Sequence, residues 1–99
     1  MSETILEKTK NKLKKPNMFQ VILLNDDFTT MEFVVEVLVR FFSKSTEAAS
    51  SLMLKIHIEG EAICGVYPHD IAQTKVTQVI EFSRSNNQPL MCIIRELSN

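Results

Sequence analysis

Three side chains with oxygen acceptors, Asn25, Asp26 and Asp27, stand in a row between a strand-like apolar run and a helix-like one. Asn25 offers an amide oxygen and each aspartate a carboxylate. Acceptors grouped in this way suit a small cation that carries several N–H donors. The first apolar side chains after them, Met31 and Val34, would set a greasy surface beside that cation. Met53 and His57 lie four residues apart, on one face if their segment is helical. An unprotonated imidazole at a pocket rim accepts a hydrogen bond, and Met31 with Met53 would make adaptable walls for a large apolar group.

Each signal also has a plainer reading. Asn and Asp commonly close a turn and cap a helix. A histidine among Leu54, Ile56 and Ile58 is often a core residue bonded to a backbone carbonyl, and a helical methionine is often core packing. Three acceptors in succession nevertheless exceed what a turn needs, because the N–H groups of a helix mouth can serve only some of them.

Catalytic readings have little to stand on. His57 and His69 can be grouped with the aspartates, yet no pair has helical ligand spacing for a metal. Gly60 and Gly65 are the only glycines, which leaves no phosphate-cradling loop. Cys64 and Cys92 sit in apolar runs, Ala-Ile-Cys-Gly-Val and Leu-Met-Cys-Ile-Ile, as expected of buried thiols in a reducing compartment rather than nucleophiles. A hydrolase built on Asp26 and His57 would still want a nucleophile. The expectation is a non-enzyme without metal or cofactor.

At 99 residues and 44% apolar content the chain suits one domain with a modest core. The net charge of −1 hides an asymmetry. Residues 1–16 carry five lysines against Glu3 and Glu7, or +3, which leaves −4 for residues 17–99. The acidic body has no basic stripe or stacking platform, which argues against nucleic acid. No apolar run reaches membrane-spanning length, and the N-terminus does not resemble a signal peptide, so a cytoplasmic monomer is expected.

The elements that must position these groups follow from pattern. Residues 1–16, polar and closed by Pro16, read as a flexible extension, and residues 17–99 as the core domain. Met18–Leu24 is apolar on both faces, which predicts a central strand. Thr29 and Glu32 fit a capping box and place a helix start there. From Met31 to Phe42 the polar positions Glu32, Glu36 and Arg40 recur every four residues, a narrow solvent stripe on an otherwise buried helix. Ser45 or Thr46 can cap a second helix to about Ile58, stopped by Gly60. Glu61–Tyr67 reads as a strand. Pro68 suits the first turn of a third helix over His69–Arg84, expected to bury Ile71, Ala72, Val76, Val79 and Ile80. Leu90–Leu97 supplies the last strand. The order βααβαβ predicts an α+β sandwich, a small three-stranded antiparallel sheet packed against three helices.

Taken together, Val21-Ile-Leu-Leu-Asn-Asp-Asp-Phe-Thr-Thr-Met-Glu-Phe-Val-Val35, Leu52-Met-Leu-Lys-Ile-His57, Gly60-Glu-Ala-Ile-Cys-Gly-Val66 and Ala72-Gln-Thr-Lys75 resemble the ClpS family. Its members are adaptors that deliver N-degron substrates to the AAA+ unfoldase ClpA, or a related one, and the ClpP peptidase. The resemblance covers residues 17–97. It implies that Asn25, Asp26 and His57 hold a substrate's free α-amino group. It also implies that Thr29, Met31, Val34, Met53, Ile56 and Leu90 line a pocket for a first residue of Leu, Phe, Tyr or Trp. Met31 would act as gatekeeper against β-branched side chains. Asp70, where glutamate is more familiar, and Lys75 would dock on the unfoldase's N-terminal domain. Thr30 stands where proline is frequent. Two other classes stay open beside this one: a small Asp–His hydrolase, and a peptide-interaction module without terminal-residue specificity.

Overall fold

The computed structural model describes residues 17–97, so the extension expected over residues 1–16 lies outside the described residues. Six elements follow in the expected order: β1 (Met18–Leu24), α1 (Met31–Phe42), α2 (Thr46–Glu59), β2 (Glu61–Pro68), α3 (His69–Ser85) and β3 (Met91–Glu96). The sheet order is β2-β1-β3, with both pairs antiparallel. β1 is central, as its two apolar faces require. Val21 and Leu23 point one way into the helices, and Ile22 points the other way, flanked across the strands by Ile63 and Ile93.

The core lies between the sheet and the helices, where Val21, Leu23, Val37 and Leu38 are wholly removed from solvent. Burial of each such side chain contributes roughly 1.5–3 kcal/mol. Phe33 of α1 stacks on Phe82 of α3 with ring centroids 5.3 Å apart, which fixes the start of α1 against the third helix. The β1–β2 register slips between Val21 and Ile22, so Cys64 has no partner opposite it. Both cysteines are buried, and burial pushes each thiol up to about 12, which keeps them protonated at neutral pH.

Four local expectations need correction. The cap of α1 is Thr30, one residue later than expected: its Oγ1 accepts the Phe33 N–H at 3.1 Å, while Thr29 turns back to Asp26. Pro68 closes β2 and takes the N-cap position of α3 instead of entering the helix, since its ψ of 158° is extended. Ile71, expected to be buried, is about half exposed because it lies in the first turn of α3, beside the exposed His69 and Asp70. The solvent stripe of α1 is also broader than three polar positions, for Val39 joins it at 41% exposure. A 3.6-residue period does not keep to a four-residue spacing, so a neighbour of the polar row rotates outward.

Candidate functional site

Residues 25–30 join the central strand to α1, and the backbone N–H groups of Asn25, Phe28, Thr29 and Thr30 each have a partner. Leu24 is the last residue of β1, and the N–H of Asn25 donates to the Gly60 carbonyl at 2.9 Å. Gly60 ends α2 with φ +94°, a left-handed conformation that glycine adopts without a Cβ penalty, and its own N–H returns to the Ile56 carbonyl. One hydrogen bond therefore brings the acceptor segment against the last turn of α2, the turn that carries His57.

Asp26 folds the segment around itself. Its Oδ1 accepts the N–H groups of Phe28 and Thr29 at 2.8 and 2.7 Å, and its Oδ2 accepts the Thr29 hydroxyl at 2.6 Å. Burial alone would raise this carboxyl's pKa. The Thr29 hydroxyl and the two backbone N–H groups outweigh that, aided by the charge of Arg84, and the pKa is lowered. Asp26 is thus anionic at neutral pH, and the turn-closing role is real. It is not exclusive, because a carboxylate has about four lone-pair positions and three are taken here.

Between this segment, α1 and α2 lies a cavity of about 230 Å³. Asn25, Asp26, Asp27 and His57 provide its polar lining, and Met31, Val34, Met53 and Ile56, with Thr29, the rest. A dry cavity of ~150 Å³ is enough for benzene, so this one has space for a Phe-sized side chain and a polar head. Val34 and Ile56 are buried at its floor, whereas Met31 and His57 are exposed at its mouth. His57 is therefore no core histidine. Its exposure places the imidazole where an entering ligand would meet it.

The cavity brings together every residue expected to contact substrate except Leu90. That side chain is buried just ahead of β3, in the core and not among the cavity-lining groups. Asp27, which the resemblance leaves out of the amine-binding set, lines the cavity beside Asp26. Asp70 and Lys75 lie elsewhere, on α3. Asp70 is fully exposed in the first turn, 3.8 Å from His69 Nδ1. Lys75 is half-buried: its Nζ donates to the Phe41 carbonyl at 2.7 Å and lies 5.8 Å from the centre of the Tyr67 ring. The lysine expected to reach a partner is thus engaged within the fold, tying α3 to the end of α1. Among the described residues, no three His, Cys, Asp or Glu side chains gather as a metal site, and no helix is long and apolar enough to cross a membrane.

Known proteins share this arrangement of chain. The family model described as ATP-dependent Clp protease adaptor protein ClpS matches residues 14–93. The ATP-dependent Clp protease adapter protein ClpS of Nitrosospira multiformis is 56% identical over 94 residues, covering 95% of this chain and 92% of that protein. Its counterpart in Nitrosomonas eutropha is 55% identical over 94 residues, covering 95% and 91%. Among solved structures, Agrobacterium tumefaciens ClpS2 bound to L-phenylalaninamide superposes with a TM-score of 0.81 at 34% identity, covering 84% of this chain and all of that one.

Proposed function

This chain belongs to the ClpS family of Clp protease adaptors, and from that premise we propose that it binds proteins whose first residue is Leu, Phe, Tyr or Trp and delivers them to a ClpA-type AAA+ unfoldase. One observation carries the reading: the acceptors of Asn25, Asp26 and His57 and the apolar surfaces of Met31, Val34, Met53 and Ile56 face a single cavity. A protonated α-amine has three N–H donors. The Asn25 amide oxygen, the remaining lone pair of the Asp26 carboxylate and an imidazole nitrogen give it three acceptors. L-phenylalaninamide, the ligand of the Agrobacterium relative, carries that same pair of groups, a free α-amine and a benzyl side chain. Asp70 is the exposed group on α3 offered to the unfoldase, with Lys75 bracing the helix behind it. The setting is the cytoplasm.

The test is a peptide titration followed by fluorescence anisotropy. A Phe-initiated peptide binds, and replacing its first residue by Gly weakens binding by about 10- to 100-fold, the worth of one buried aromatic side chain. Equal affinity for both peptides would remove the apolar half of the reading.

Met31 is the first residue of α1, and its side chain lines the mouth of the cavity. A branched Cβ on the ligand would need the space that this side chain fills. Met31→Ala opens that space, and peptides beginning with Ile or Val gain about tenfold in affinity, the scale of a methylene-sized change in an apolar pocket. Unchanged rejection of those peptides would show that another group excludes them.

A further inference from the structure

Resting on the reading above, we propose that Gln88, held in place by Arg84, is a positioning residue that fixes the acceptor segment 25–30 in its binding geometry. The starting point is an unusual helix cap. In a capping box the side chain of the third helical residue accepts the backbone N–H of the cap residue. The cap here is Thr30, which makes the third residue Phe33, and phenylalanine has no acceptor. The Thr30 N–H donates instead to Gln88 Oε1 at 3.2 Å, from a loop 58 residues further along the chain.

That loop is itself pinned. Arg84 Nη1 donates to the carbonyls of Gln88 and Leu90 at 2.9 and 3.0 Å, and Nη2 lies 3.2 Å from Met91 Sδ. The Gln88 N–H returns to the Ser83 carbonyl at 2.9 Å, which ties the loop to α3. A rigid brace therefore runs from the end of α3 through Gln88 to the N–H of Thr30. Beyond Thr30 lies Thr29, whose N–H and hydroxyl both hold the Asp26 carboxylate. Gln88 touches no cavity-lining atom in this chain of contacts. It acts through the backbone of the residue next to Thr29. On this view the last backbone N–H of the segment is held from the α3–β3 loop, as its first is held by Gly60 at the end of α2.

The experiment compares Gln88→Met, which keeps the side-chain length without Oε1, with Gln88→Glu, which restores an oxygen acceptor there. Two readouts are taken on the full chain: amide hydrogen exchange at Thr30, and titration with a Phe-initiated peptide. The expected result is faster exchange at Thr30 in Gln88→Met, with peptide affinity lower by about three- to tenfold, the scale of one neutral hydrogen bond. Both readouts return to the wild-type level in Gln88→Glu. A variant that merely loosened the fold would accelerate exchange along α1 and α3 and would not recover with glutamate. Wild-type Thr30 exchange in Gln88→Met, or wild-type affinity despite faster exchange, overturns the proposal. Failure of the wild-type chain to bind the peptide would instead overturn the adaptor reading, and the exchange readout would still decide whether Gln88 holds Thr30.

Discussion

Asp26→Asn is expected to weaken binding of a Phe-initiated peptide by about a hundredfold, the cost of losing a charged acceptor and its charge-assisted hydrogen bond. The asparagine variant is more informative than alanine because Asp26 has two tasks. Its Oδ1 collects the N–H groups of Phe28 and Thr29, and an asparagine oxygen can still accept both. The amide nitrogen then replaces Oδ2 and donates to the Thr29 hydroxyl, which reverses that bond without breaking it. The turn survives while the charge and the free lone pair vanish. Alanine would remove all of these together. Thermal denaturation should place Asp26→Asn close to the wild type, with the loss confined to the titration. If affinity stayed within about threefold, Asp26 would be a turn residue only. The pH dependence has a fixed sign: a carboxyl whose folded pKa is depressed contributes fully at neutral pH and loses that contribution as pH falls through the lowered value.

The same residue illustrates what could and could not be read from the chain. Asn25, Asp26 and Asp27 declared an acceptor cluster by type alone, and the βααβαβ order followed from periodicity and from Gly60. Burial of both faces of β1 was legible because an apolar run with no alternation fits only a central strand. Local rules then failed where a second partner competed for the same group or the fold supplied one from a distance. Thr29 with Glu32 satisfied the capping pattern, yet Asp26 took Thr29 for the turn and the cap moved to Thr30. The resemblance offered Lys75 to a partner chain, and no pattern along the sequence announced that a carbonyl 34 residues away at the end of α1 receives its ammonium. Gln88 carried no signal at all, because its role depends on where the α3–β3 loop lands. His57 was the reverse case: its apolar neighbours in sequence suggested a core residue, whereas Leu54 and Ile58 are themselves exposed beside it.

Acetylating the α-amine of a Phe-initiated peptide should cost about a thousandfold in affinity or more, the worth of about two charge-assisted hydrogen bonds. Acetylation removes the positive charge and leaves one N–H where three stood. The Asp26 carboxylate then keeps its charge beside a neutral amide, and the Asn25 and His57 acceptors compete for a single donor. The benzyl group still fits between Met31 and Met53, but its burial offsets only part of that loss. This result separates the adaptor reading from an interaction module that binds peptides along their length, for such a module is indifferent to the terminus. An acetylated peptide that binds within about tenfold of the free amine would favour the module. It would also strip the acceptor cluster of its ligand and leave Asn25 and Asp27 as turn residues around Asp26. Both peptides bury the same benzyl group, so the ratio of their affinities reports on the amine alone.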